Sequence, residues 1–200
     1  MQFQIIRDTI RNGILPSDEQ FDSLFPEGIR SYANQHFSGV YAIKQAAQFL
    51  CDQKDPKILD IGSGAGKFCL LAALLHNGAE FVGVEYRSEL VSVSKDLADN
   101  FALNNIHFFC ENVLNVDFTP FNGFFMFNPF LEHRKSNARL EGFFDYNHDD
   151  FYYQEHLNIK LSSMHTRAKL VTYHVNRSLV PKSFKCVFEK MGGALLFWEK

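Results

Sequence analysis

This 200-residue chain has no large excess of either charge: 20 Lys and Arg stand against 23 Asp and Glu, a formal net charge of −3. No global field draws the chain to nucleic acid, which argues against RNA or DNA as a partner unless a local basic groove forms. Cysteine is scarce too. Cys51, Cys69, Cys110 and Cys186 lie far apart with no C-x-x-C pair. That excludes a disulfide framework or a zinc site and predicts reduced core thiols in a cytoplasmic protein. His107, His148, His156, His165 and His174 show no metal-ligand spacing, so no metal is expected. No Ser, Cys and His arrangement supports a hydrolase. Long apolar runs are absent, and the first thirteen residues mix Arg, Asp and Asn into their apolar positions, which predicts neither signal peptide nor membrane span. Repeats and low-complexity linkers are absent as well, so residues 1–200 read as a single domain, with 22 Phe to supply its core.

What is present begins at residues 57–71, KILDIGSGAGKFCLL, where Asp60-x-Gly62-x-Gly64-x-Gly66 follows an apolar run. A strand that breaks into a glycine-rich turn and then a helix brings backbone N–H groups up to a ligand at the strand's carboxyl end. A second apolar run, Phe81-Val82-Gly83-Val84, ends in Glu85. A carboxylate at the tip of the neighbouring strand can accept two hydrogen bonds from the vicinal hydroxyls of a ribose. The pair predicts a nucleoside-containing cofactor. Dinucleotides are disfavoured because G-x-G-x-x-G would need glycine where Lys67 stands. ATP and GTP are disfavoured because Ile61 and Phe68 occupy the first-glycine and hydroxyl positions of a phosphate-cradling loop.

The rest of the chain alternates. Residues 2–12 and 18–33 read as amphipathic helices and 40–50 as a stronger one, together an N-terminal helical cap over 1–50. A core over 57–200 follows, with strands at 57–61, 81–85, 106–111, 123–127 and 168–175 and helices at 67–76, 88–104 and 151–165. Such alternation implies right-handed crossovers and a parallel sheet. Residues 183–190, a Met191-Gly192-Gly193 turn and residues 194–198 form a closing hairpin.

The D-x-G-x-G-x-G turn with its downstream acid resembles the class I S-adenosylmethionine-dependent methyltransferases, over most of the chain from residue 57 onward. The resemblance implies a Rossmann-like, doubly wound, mostly parallel seven-stranded sheet in the order 3-2-1-4-5-7-6, closed by an antiparallel hairpin, with helices on both faces. It also implies S-adenosyl-L-methionine as cofactor, with Asp60 orienting the turn and the methionine amino group. Gly62, Ser63, Gly64 and Gly66 form the turn, and Glu85 takes the ribose. Asn112 aligns best with the residue that accepts from the adenine amino group, with Glu111 one residue away. His36 and Ser38 lie where some amino methyltransferases close over the methionine carboxylate, although Ser38 equally suits a helix N-cap.

After the fourth strand, Asn128-Pro129-Phe130 resembles the [DNS]-P-P-[YFW] motif of amino-group methyltransferases, with one proline fewer. By that resemblance Asn128 and the Pro129 carbonyl accept hydrogen bonds from an amine, and Phe130 packs on it. The aromatic stretch 131–167 is expected to serve mainly the core, and His133-Arg134-Lys135 a solvated surface. The expected activity is methyl transfer to an amine of a small molecule or protein side chain. The alternatives are a nucleic-acid amino-group methyltransferase and a cofactor-binding protein without catalysis. The acceptor's identity and the oligomeric state are not encoded in any of these patterns.

Overall fold

The computed structural model describes residues 1–127 and 150–200. Seven strands form one sheet: β1 (Lys57–Ile61), β2 (Glu80–Glu85), β3 (Ile106–Cys110), β4 (Gly123–Phe127), β5 (Lys169–Tyr173), β6 (Lys185–Lys190) and β7 (Leu195–Glu199). Their order is β3-β2-β1-β4-β5-β7-β6. β1 to β5 run parallel, while β7 runs antiparallel to both β5 and β6. The expected Rossmann-like architecture is therefore present, including the antiparallel closing hairpin. Helices α1 (Gln2–Arg11), α2 (Asp18–Asp22), α3 (Glu27–Arg30), α4 (Ala33–His36) and α5 (Val40–Cys51) precede β1, and α6 (Lys67–Leu75), α7 (Ser88–Asn100) and α8 (Asp150–Ser162) follow it.

Side chains alternate across a strand, so each central strand feeds two cores. Ile58, Phe81, Phe125 and Val171 face one core with buried residues of α1, α2, α5, α6 and α7. Leu59, Val82, Met126 and Leu170 face the other, with Leu157 and Leu161 of α8. The β3–β4 connection holds only a short 3-10 turn, Val113–Asn115, with no helix to lay over β2 and β3. Val82, Val84, His107 and Phe109 consequently line an open groove of about 440 Å³ on that face.

Three expectations are corrected. The single helix expected at 18–33 is three short ones, because Pro26 cannot continue a helix and becomes the N-cap of α3. α2 itself opens on a capping box, Ser17 with Gln20. α7 stops at Asn100 rather than 104, since Ala102 takes the left-handed conformation at φ 46°. Asn105 then ties the turn down by donating to the Ala79 carbonyl at 3.0 Å. All four cysteines are free, but only Cys69 is a fully buried core thiol, and Cys110 is exposed.

The N-terminal helices are held to the sheet layer by rings and by one ammonium. Phe3 and Phe21 both pack on Phe101, with ring centroids 4.9 and 6.2 Å apart. Lys67, the first residue of α6, is 3% exposed, and its Nζ lies 2.8 Å from Asp18 Oδ1 and 2.6 Å from Asp22 Oδ1. The approach to Asp22 is too oblique for a good hydrogen bond and reads as a contact of charges. Burial raises the pKa of Asp22, and the neighbouring Lys67 partly offsets that. Removing one partner of a buried ion pair leaves the other charge uncompensated. Lys67→Ala is therefore expected to destabilise the fold by about 3 kcal/mol, measured by denaturant unfolding, with earlier proteolysis within residues 1–40.

Candidate functional site

Register places the site. Asp60 pairs with Gly83 across β1 and β2, and alternation puts both on the face toward α6, with Glu85 two residues further along β2. The turn after β1 bends through Gly62, Gly64 and Gly66, at φ 74°, 54° and 83°. A side chain at Gly66 would enter the Phe108 ring at 2.7 Å, and one at Gly83 would meet Phe108 at 2.6 Å and Ser63 Oγ at 2.9 Å. These two positions accept only hydrogen, which brings the turn down onto β2. Over Gly62 and Gly64 there is open space.

The N–H groups of this turn do not wait for a ligand. Gly62 and Ser63 both donate to the Val84 carbonyl at 3.0 Å, Gly66 donates to the Ser63 carbonyl at 2.9 Å, and Gly64 donates to Glu85 Oε2 at 3.0 Å. The expected ring of free backbone donors is corrected accordingly. These four donors hold the turn's shape.

Glu85 is 7% exposed and anchors the arrangement. Besides Gly64, it accepts from Arg87 N–H at 3.1 Å and Arg87 Nε at 2.8 Å through Oε1, and from Arg87 Nη2 at 3.3 Å through Oε2. The carboxylate is thus fixed in place before any ligand arrives. Asp60, 3% exposed, is the opposite case. Its hydrogen-bond partner is the Cys69 thiol, which donates at 3.5 Å. Burial pushes the Asp60 carboxyl up to about 8; the thiol works against that shift and the Glu85 charge adds to it. The same enclosure raises the Cys69 thiol well above its usual value.

The remaining expected residues divide. Ser63 directs its hydroxyl beneath the turn, buried and without a hydrogen-bond partner. Asn112 caps the 3-10 turn, its amide oxygen accepting from Leu114 N–H at 3.0 Å and its amide nitrogen donating to Tyr153 Oη at 2.9 Å. Glu111 is exposed and accepts from Asn115, which together with the Asn112 N–H lowers its pKa. His36 ends α4 and Ser38 is buried beside α5. The N-cap of α5 is Gly39 rather than Ser38, and the Val40 N–H is capped from a distance by Asp18 Oδ1 at 2.8 Å. Asn128, Pro129 and Phe130, with the aromatic stretch up to residue 149, lie outside the described residues. Among the described residues no cluster of His, Cys, Asp and Glu could hold a metal ion, and no helix is long and apolar enough to cross a membrane. Sequence reasoning missed Asp18, Lys67 and Arg87. Of these, Arg87 carried a signal, since a cation two residues after a strand-end acid can fold back on it.

Residues 52–147 match the family model of the methyltransferase domain. That stretch of the chain is a methyltransferase domain. The domain is 34% identical over 107 residues to a tRNA (guanine-N(7)-)-methyltransferase of Synechocystis, covering 52% of this chain and 49% of that enzyme. The chain thus spans about half the length of that relative. Among solved structures, an RNA methyltransferase from Salinibacter ruber in complex with S-adenosyl-L-homocysteine aligns with TM-score 0.58 at 15% identity, over 81% of this chain and 92% of that one. A precorrin-6y C5,15-methyltransferase from Geobacter metallireducens aligns with TM-score 0.59 at 12% identity, over 90% and 95%. At such identities these two likenesses establish the fold of the methyltransferase domain.

The raised Asp60 pKa has a consequence for stability. The folded state holds the Asp60 proton from the usual carboxylate range up to about pH 8, whereas the unfolded chain has lost it. Its contribution to stability is full below about pH 4 and is lost as pH rises toward 8. Asp60→Asn carries no such proton. Relative to the natural protein it is expected to gain stability between pH 5 and pH 8, by roughly 1.4 kcal/mol for each unit of the shift traversed. Paired denaturant titrations at the two pH values measure this; an unchanged difference between variant and parent would refute it.

Proposed function

We propose that this protein transfers the methyl group of S-adenosyl-L-methionine to an amine nitrogen of a small molecule or a protein side chain, in the cytoplasm, with residues 1–50 as a helical cap on a core over 57–200. The observation that carries the methyltransferase part is the junction of β1 and β2. There Glu85 is locked to the glycine turn through Gly64, and open space lies over Gly62 and Gly64. These residues suit the cofactor: Glu85 offers acceptor oxygens to ribose hydroxyls, and Asp60 faces the same turn to receive the methionine ammonium. Because the Asp60 carboxyl holds its proton up to about pH 8, it has to release that proton to serve the ammonium, so cofactor affinity rises with pH up to that point. Gly62, Ser63, Gly64 and Gly66 keep the backbone close to the ligand. Asn112 is assigned to adenine through the second lone pair of its amide oxygen, and His36 and Ser38 to the methionine carboxylate.

When bound, the cofactor supplies an activated methyl group on a sulfonium. The chain's part is to hold the acceptor in line with that methyl in a site shielded from water. Asn128 and the Pro129 carbonyl are assigned to orient the amine, with Phe130 against it, on the strength of their sequence motif after β4. A second reading takes an amino group of nucleic acid as acceptor. It is favoured by the relatives named as tRNA and rRNA methyltransferases and opposed by the net charge of −3.

Calorimetry is expected to show binding of S-adenosylmethionine and S-adenosylhomocysteine, weakened by about 1.5–3 kcal/mol in Glu85→Ala, the range of hydrogen bonds to a charged group. No heat with either compound, or unchanged affinity in a folded Glu85→Ala protein, would overturn the cofactor assignment. Transfer of a labelled methyl group into a cell lysate, fractionated into protein, nucleic acid and small molecules, separates the acceptor readings. No incorporation into any fraction would point to a cofactor-binding protein without catalysis. With an acceptor in hand, Asn128→Ala is expected to lower turnover by about 10²-fold or more while cofactor affinity stays within about threefold. Equal losses in both would assign Asn128 to the shape of the turn alone.

A further inference from the structure

At the carboxyl end of β5 the backbone leaves the strand conformation within one residue. His174 follows Tyr173 directly and takes a left-handed φ of 53°, which is uncommon and costly for a residue with a side chain. Its N–H donates to the Ala194 carbonyl at 2.9 Å, which prolongs the β5–β7 ladder and holds the bend in place. The bend exchanges faces. Val171 and Tyr173 belong to the core beside α6 and Leu170 to the opposite core, so continued pleating would send His174 to the second face and Val175 to the first. Instead Val175 packs against the second core, and the imidazole lies beside the rings of the first, its centroid 4.3 Å from Tyr173 and 6.2 Å from Phe127. His174 is exposed, and among the described residues its ring nitrogens have no hydrogen-bond partner.

The face onto which the ring is turned is the one that carries Asp60 and the glycine turn. Strand order reverses between β1 and β4, the switch point at which open α/β sheets bind their ligands. With the glycine turn on the β1–β2 side of that crevice, its other side is carried by the ends of β4 and β5. Phe127, the last residue of β4, pairs with Tyr173 and precedes Asn128 in sequence. The Phe127 and Tyr173 rings stack with centroids 5.1 Å apart and form an apolar floor there. His174 is the polar group at the open edge of this floor. No hydrogen bond of the ring offsets the cost of its backbone, and strain of this kind concentrates where a side chain serves a reaction.

We propose that His174 takes the proton from the acceptor ammonium in methyl transfer. This deepens the amine reading given above and rests on it. One imidazole nitrogen removes one N–H proton, which frees the lone pair of the acceptor nitrogen. That pair forms the new N–CH3 bond while the S–CH3 bond breaks and its electrons stay on sulfur. The positive charge of the sulfonium passes to the methylated nitrogen, and the imidazolium returns its proton to the water that reaches the exposed ring. Imidazole is the side chain suited to take up and release a proton near neutral pH.

The test uses the full chain and two variants that tolerate a left-handed backbone, His174→Asn and His174→Gly. Neither is expected to lower the midpoint of thermal unfolding, and S-adenosylhomocysteine affinity by calorimetry is expected to stay within about threefold. Transfer of labelled methyl into the acceptor fraction of the lysate is expected to fall by about 10²-fold or more in both. Added imidazole is expected to restore transfer by about tenfold in His174→Gly, where it can fill the space of the ring, and not in His174→Asn. Unchanged transfer in either folded variant, or a loss that imidazole does not relieve, would overturn the proposal. A readout without acceptor comes from the ring signals of histidine-labelled protein in NMR, with the His174 signal identified by its absence in His174→Gly. That signal is expected to move on binding S-adenosylmethionine and to stand elsewhere with S-adenosylhomocysteine, which lacks the charged methyl sulfonium. A signal unmoved by both compounds, while calorimetry shows them bound, would place His174 away from the reacting atoms and overturn its role alone. Absence of binding by either compound refutes the methyltransferase reading instead.

Discussion

A single buried ammonium joins the two halves of this molecule. Lys67 stands one residue after the last glycine of the turn, where water is almost excluded, and a lone charge there would be strongly unfavourable. Its only acidic partners among the described residues, Asp18 and Asp22, come from α2, far upstream in the chain. The short N-terminal helices therefore have one place to go. Asp18 in turn caps α5, so one carboxylate fixes the starts of two long helices, α5 through its first N–H and α6 through its first side chain. Apolar burial of Phe21 and Phe25 supplies attraction without direction, while the ammonium supplies the register.

The turn itself stands on a different constraint. Its donors are spent on Val84, on Ser63 and on Glu85, so its conformation is set by the neighbouring strand rather than by a ligand. Glu85 links the two because it grips Gly64 on one side and Arg87 on the other. A ribose reaching this carboxylate has to share it with the guanidinium or shift it. Asp60 completes the contrast, since Glu85 is gripped by backbone and guanidinium donors whereas Asp60 is pressed toward neutrality by enclosure. Two carboxyls on adjacent strands thereby acquire different chemistry from their surroundings alone.

Much of the fold was legible because its signals are local. Apolar runs of strand length, glycines after β1 and the Met191-Gly192-Gly193 turn fix where elements begin and end, and the parallel order follows the methyltransferase resemblance. The errors fell where tertiary contacts decide. Pro26 splits 18–33 into pieces too short for periodicity to register. Ser38 looked like a cap because serine is the usual N-cap, yet a distant Asp18 does that work. Free backbone donors were expected from glycine spacing, but their partner, the Val84 carbonyl, lies on another strand. In the sequence Lys67 stands out only as a residue where a dinucleotide turn would need glycine. Its meaning depends on residues more than forty positions away, a relation that no local pattern carries.

The family match begins at residue 52, after α5, so the segment that supplies Asp18, Asp22 and the cap over the turn lies outside it. A boundary drawn there by similarity would cut through the site rather than beside it. The glycine turn lies inside the match, and the helices whose carboxylates hold Lys67 lie outside it.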